Sequence, residues 1–370
     1  MIRNSEEGRA FLRELKRQPE KFVFTNAYKK PIFWTVLALV TPMKRDDKTG
    51  KKPAQAHVLM EDLHGRGKTA TLIHLSSALE AKIGQIEGKI DTMPRELIGG
   101  EEKDPLTGVR TILKGPMHSH VLSFDEITRA PAKTQTPLFG AMDGARVLMN
   151  VTNIKTGEIE SKSFSLYPVP GDYKNRDFFS TIATANPIEL EGTFPLSEAE
   201  KDRFTYRTSF GLPSEEDEMK IRSESFTNEH VERIGTLSDI LDITEMVDQI
   251  KLKEDANILI QRLLDNSRPR SRDEEDFGGP RKRFGEPEMI EFVNKHVILG
   301  CSPRRNLHMQ AAAKAYAWFT GQEEFAGVEH VQAIATVTMP HVLMLHPTLD
   351  DTVTPALIVK RILRNTWLPE

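Results

Sequence analysis

The chain has 370 residues, 28% of them charged and 38% hydrophobic, with a formal net charge of −4. That length can hold two domains with separate cores. The absence of a basic surplus gives no electrostatic drive toward nucleic acid, and a lone cysteine, Cys301, excludes an internal disulfide framework and fits a reducing cytosol.

The stretch Met1 to Arg13 is polar and charged, unlike a secretory leader. Pro31 to Met43 is the most apolar run, too short for the ~20 residues of a membrane-crossing helix. It is expected as a buried helix that starts near Pro31 and stops at Pro42. A polar loop over residues 44 to 54 leads into the apolar run His57-Val58-Leu59-Met60, read as a buried strand.

Directly after it stands His64-Gly65-Arg66-Gly67-Lys68-Thr69. Strand, glycine-rich turn and Lys-Thr opening a helix suit a phosphate. Glycine lets backbone N–H groups approach, and the helix N-terminus adds partial positive charge. Lys68 is placed to reach terminal phosphates and Thr69 to hold Mg²⁺, although Asp62 stands where the full motif has glycine. The alternative is a plain glycine turn beside an unrelated lysine. Leu72, Leu75, Leu79 and Ile83 then recur at helical spacing.

Residues 97 to 116 read as a hairpin with Asp104-Pro105 and Thr107-Gly108 at its tip, and residues 147 to 170 as a second hairpin around Thr156-Gly157. Between them Val121-Leu122-Ser123-Phe124 forms a buried strand ending in Asp125-Glu126. A carboxylate pair at a strand's carboxyl end can divide its labour, Asp125 holding the metal and Glu126 activating water. The alternative is a helix-capping turn. Phe179 to Thr184 is a third strand, followed by Asn186, whose amide can position water. Thr205 to Leu212 is read as a fourth strand. Just before it, Arg203 in Asp202-Arg203-Phe204 either reaches a neighbouring subunit's phosphate or pairs with Asp202 on the surface.

Strands alternating with helices imply an α/β fold with a parallel sheet between helices. From about residue 213 the pattern turns helical, with segments near 237–250, 255–264, 288–297, 306–318 and 328–336, implying a smaller all-helical domain. Residues 267 to 287, dense in Arg, Asp, Glu, Gly and Pro, read as a flexible insertion within it. Ser302-Pro303-Arg304-Arg305 opens one of its helices. Arginines there oppose the helix dipole, which favours a functional role for Arg304 over a solvent-facing one.

Four runs together carry a resemblance: the phosphate loop; Asp125-Glu126-Ile127-Thr128-Arg129-Ala130-Pro131-Ala132-Lys133-Thr134-Gln135; Ala183-Thr184-Ala185-Asn186-Pro187 through Leu196; and Asp202-Arg203-Phe204 with Ser302-Pro303-Arg304. The chain resembles a MoxR-type AAA+ ATPase over roughly residues 30 to 370. The resemblance implies a P-loop AAA+ core over 31–212, a helical lid over 213–370 and an N-terminal extension over 1–30. It implies a Mg²⁺-dependent ATPase acting as a chaperone-like remodeller, in a hexameric ring. It assigns ATP and Mg²⁺ to Gly65, Arg66, Gly67, Lys68, Thr69, Asp125 and Arg304, with Thr69 and Asp125 on the metal. It assigns catalysis to Glu126, Asn186 and, in trans, Arg203. A protein client and a separate partner carrying a von Willebrand factor A domain are further implications. Its departures are His64 and Arg66 in the phosphate loop. An oligomeric binding module gated by nucleotide is the alternative, and a nucleic-acid motor is disfavoured by the acidic balance.

Overall fold

The computed structural model describes residues 2–22, 26–43, 54–61, 68–144, 146–152, 158–165, 169–174, 176–186, 192–209, 211, 215, 219, 231–269, 282–347 and 352–369. The chain divides into two units: Met1–Val40, Lys44–Leu196 and Thr208–Thr244 form one, and Thr41–Met43, Ser197–Arg207 and Glu245–Glu370 the other.

In the first unit, helices α1 (Ser5–Phe22) and α2 (Asn26–Val40) precede strand β1 (Val58–Glu61) and helix α3 (Lys68–Ala78). The α2 helix starts before the expected Pro31, which lies inside it. Nearly every residue from Pro31 to Val40 is buried, so this helix is apolar all round and belongs to the core. The α1 helix was invisible in the polar N-terminus. Its Gly8, Leu12, Leu15 and Pro19 follow helical spacing and form the buried face of a helix that packs on α3.

The chain continues through β2 (Ile83–Glu87), the short α4 (Pro94–Ile98), the hairpin β3 (Gly99–Lys103) and β4 (Arg110–Lys114), and β5 (Val121–Asp125). After β5 come α5 (Ala132–Gly144), a second hairpin β6 (Arg146–Thr152) and β7 (Ile159–Ser165), and β8 (Ser180–Ala185). The sheet has five strands: a short strand Tyr206–Thr208, within the expected 205–212, stands at its edge, and β1, β8, β5 and β2 follow side by side in that order, these four all parallel. Every residue of β8 and Val121 to Phe124 of β5 are buried, as expected for parallel strands covered on both faces. The register aligns Glu61 with Ala185 and Glu87 with Asp125, so the carboxyl ends of all four strands share one edge.

The two hairpins meet. Arg110 donates to the Thr152 hydroxyl at 2.6 Å, and the Thr152 amide donates to Glu101 at 2.8 Å. In the first turn the Asp104 carboxylate accepts the amides of Leu106 and Thr107, and Leu106 stands 95% exposed at the tip.

The second unit carries α6 (Glu198–Lys201), part of α7 (Leu237–Gln249), and α8 (Glu254–Ser267), α9 (Pro287–His296), α10 (Arg304–Phe319), α11 (Val328–Thr338) and α12 (Pro355–Asn365), with strand pairs of two or three residues among them. Alanines at 311, 312, 313, 315 and 317 favour the helix and keep its surface thin, so α11 packs closely on α10. Of the expected charged insertion, residues 270–281 lie outside the described residues. Phe284 and Glu286, within the expected insertion, are tied to Asn266 of α8 and Asn365 of α12, so this end of it is held in place rather than flexible. Among the described residues no helix is long and apolar enough to cross a membrane.

A buried ionic cluster holds the first part of α7 within the first unit. Arg176 binds Asp172 at 2.6 Å and Asp242 at 2.8 Å, and Ser238 donates to Asp172 at 2.7 Å. Burial alone would raise the Asp172 pKa. The Arg176 guanidinium, the Arg176 amide and the Ser238 hydroxyl overcome this and hold it far below the usual carboxylate range.

Candidate functional site

The carboxyl edge of a parallel sheet is where open α/β folds bind ligands. The segment between the end of β1 and the start of α3 contains Gly65, Arg66 and Gly67, which lie outside the described residues. Lys68 and Thr69 open α3, with their side chains also outside the description. Helix α3 packs against β5. Its Leu72 and Leu75 are buried, as is Leu79 in the turn after it, whereas Ile83, expected in the same helical series, opens β2.

Asp125 is the last residue of β5, and the hydroxyl of Thr184 on β8 donates to its Oδ1. The same hydroxyl accepts the backbone amide of Glu126 at 2.9 Å. One threonine therefore fixes both members of the carboxylate pair. Glu126 has φ 51° and ψ 48°, one of two non-glycine residues with positive φ among those described. A glutamate held in the left-handed region costs about 1–2 kcal/mol and persists only where its surroundings impose it. Its carboxylate meets Arg129 Nε at 2.8 Å.

Those surroundings are visible. Gly88 donates its amide to the Asp125 carbonyl at 2.7 Å, and a Cβ there would fall 2.2 Å from the Glu126 carbonyl oxygen. Only glycine permits that approach. On the other side the fully buried Gln135 amide donates to the carbonyls of Ile127, Ala130 and Phe194 at 2.9, 2.9 and 3.1 Å. Phe194 in turn donates its amide to Thr128. Thr134 donates its hydroxyl to the Thr92 carbonyl at 2.6 Å. Thus Thr134 and Gln135, legible in the sequence only as parts of a long motif, stitch the turn after β5 to two other segments. Asn186 follows β8 directly, at the strand edge aligned with Glu61 of β1.

Of the expected oxygen donors, the Asp125 carboxylate stands at this edge, and a carboxylate suits a hard divalent cation such as the Mg²⁺ that the sequence implies.

Arg203 and Arg304 belong to the second unit. Arg203 is half-buried and donates to the Ala199 carbonyl at 2.8 Å. The surface pairing with Asp202 does not occur. Asp202 is buried and bound instead by Arg305, at 2.7 Å from Nη2 and 3.1 Å from Nε. In the pair Arg304-Arg305 the first arginine is exposed and the second is fully buried. Burial pushes the Arg305 pKa down and the Asp202 charge works against it, yet guanidinium keeps its proton throughout. Nothing local announced Arg305: its partner lies 103 residues away. Cys301 beside it is buried, which pushes its thiol up to about 11 and leaves it unreactive.

Residues 57–166 and 169–206 match the ATPase family associated with various cellular activities (AAA), and residues 291–362 match the AAA lid domain. A crystal structure from Cytophaga hutchinsonii shares the fold, with a TM-score of 0.76 at 23% identity, over 99% of this chain and 97% of that one. Fold and matches together define an AAA ATPase core with a helical lid, a class that binds nucleotide. YeaC of Bacillus subtilis is 28% identical over 319 residues, covering 85% of this chain and 86% of that protein. Chaperone MoxR1 of Mycobacterium tuberculosis is 27% identical over 322 residues, covering 86% and 75%. Protein MoxR of Paracoccus denitrificans is 23% identical over 316 residues, covering 82% and 85%. The chain belongs to the MoxR-type AAA+ ATPases, a chaperone-like family.

Proposed function

We propose that this protein hydrolyses ATP as a subunit of a hexameric ring in the cytoplasm and uses the turnover to remodel or assemble a protein client. The proposed core runs over about 31–212 and the lid over 213–370, although by contacts 197–207 group with the helical unit and 208–244 with the first. The observation that carries the reading is the Asp125-Glu126 pair, fixed by Thr184 at the same sheet edge from which the chain enters α3. Backbone amides around Gly65, Arg66 and Gly67 hold the phosphates, with Lys68 on the terminal ones. Asp125 and Thr69 hold Mg²⁺, which when bound polarises the phosphate oxygens. Glu126 takes the proton of the attacking water, and Asn186 orients that water. Arg203 stabilises developing charge in a neighbouring subunit, and Arg304 reads the nucleotide from the lid. Chaperone MoxR1 is the relative whose name supports a client-directed role. A separate chain carrying a von Willebrand factor A domain is the expected partner.

Glu126→Gln should retain ATP and lose turnover by ~10²–10⁴-fold, the range for a general base. Lys68→Ala should instead weaken nucleotide binding. Normal turnover by Glu126→Gln would remove the assignment of the base. A second reading, an oligomeric binding module with incidental hydrolysis, is favoured by the exposed apolar tip of the first hairpin at Leu106 and Val109. Wild-type turnover that is very slow and unresponsive to any partner would select it.

A further inference from the structure

The buried ion pair of the second unit brackets Arg203. Arg305 donates to the Asp202 carboxylate through Nε and Nη2, to the Asp202 backbone carbonyl at 3.1 Å, and to the Phe204 carbonyl at 2.9 Å. One guanidinium therefore grips the main chain on both sides of Arg203. Ser302 closes the loop: its hydroxyl donates to the other Asp202 oxygen at 2.5 Å and accepts the backbone amide of Arg304 at 3.1 Å. His341 makes a further hydrogen bond to the Phe204 carbonyl at 2.9 Å, and Thr205 bonds His308 of α10 at 2.8 Å. By their contacts residues 197–207 group with the helical unit.

We propose that Arg305 is a positioning residue that binds the segment bearing Arg203 to the helix bearing Arg304, so that the two arginines move as one body. This rests on the roles proposed above, in which Arg203 serves the neighbour's nucleotide and Arg304 the subunit's own. A displacement of α10 that follows nucleotide at Arg304 is then delivered to Arg203, and one subunit's occupancy sets the rate of the next. The chemistry chosen suits a rigid link. The guanidinium is planar, permanently charged and forked, so it fixes direction as well as distance, which a lysine cannot do.

The test uses mixed assemblies of the full-length chain. Wild-type subunits are combined with an excess of Glu126→Gln subunits that bind but do not hydrolyse, and turnover is measured per wild-type site. The added subunits carry Arg305 intact, Arg305→Lys, Asp202→Asn or Arg203→Ala. Thermal unfolding of each variant is recorded separately. The expected result is that Arg305→Lys or Asp202→Asn in the silent subunits lowers their wild-type neighbours' kcat ~10-fold or more, approaching Arg203→Ala, part of the ~10³ assigned to a trans arginine. In a homogeneous Arg305→Lys assembly, KM for ATP should also rise as Arg304 loses its placement. Folded Arg305→Lys and Asp202→Asn subunits that leave neighbours as active as the intact control would overturn the inference. Failure of Arg203→Ala itself to slow the neighbours, or a wild type without turnover, would instead overturn the reading beneath it, and the inference with it.

Discussion

The turn after β5 and the Asp202–Arg305 contact solve one problem, holding a charged side chain at the end of an element, by opposite means. Around Glu126 the groups that hold the main chain are neutral: a threonine hydroxyl, a glutamine amide and a glycine that permits close approach. Around Arg203 the scaffold is ionic and fully buried. Neutral hydrogen bonds each contribute about 1 kcal/mol net and can be lost singly. A buried ion pair is all or none, because removing one partner strands the other charge without water. The first arrangement fixes the backbone of the carboxylate pair with neutral groups, and the one charge described beside it, Arg129 on Glu126, comes from the same turn. The second makes a stiff link where added charge does no harm to the nearby arginine.

Three measurements press on that contrast. The largest effect is expected from Asp202→Ala, which leaves Arg305 buried and unneutralised. It should lower the unfolding free energy by about 3–5 kcal/mol in urea titrations, and a loss below 1 kcal/mol would mean the pair is not the anchor described. Next, Gln135→Ala removes the donor from three carbonyls and should cost about 1–3 kcal/mol, with turnover falling more steeply than stability because the Glu126 turn loosens. The smallest to intermediate effect is one of pH. Burial, reinforced by the Lys114 charge, pushes His118 down to about 4, against the Ile98 carbonyl. The folded state then keeps His118 neutral between pH 6.5 and 4 while the unfolded chain protonates it. Stability is therefore complete above the unfolded value and falls as pH drops toward 4, by about 2 kcal/mol from pH 7 to 5. His341, also depressed by burial, acts in the same direction. His118→Leu should flatten but not abolish the slope, whereas an unchanged slope would remove His118 as its source.

Legibility followed sequence distance. The strand runs at 58 and 121, the glycine-rich turn and Asp125-Glu126 are local patterns, and a reader of short windows finds them. Helices α7 to α11 were readable from periodicity to within a few residues, for instance α8 at Glu254–Ser267 against 255–264, whereas α6 and α12 were not anticipated. The α1 helix escaped because polar residues dominate its composition and only its buried face carries the signal. Pro31 misled because proline costs one backbone bond without ending a helix whose surroundings are apolar. Arg305, Arg176 and Gln135 were illegible for a different reason. Their partners lie up to 103, 66 and 59 residues away, and only folding brings them together.

Gly88 has a consequence for how such a protein is mapped by mutation. It offers no functional group, yet any Cβ there would press the Glu126 carbonyl out of place. A scan that ranks positions by lost activity should therefore score this featureless residue alongside Glu126, the proposed base. An empty volume of one methyl group can be as indispensable to a reaction as the atoms that perform it.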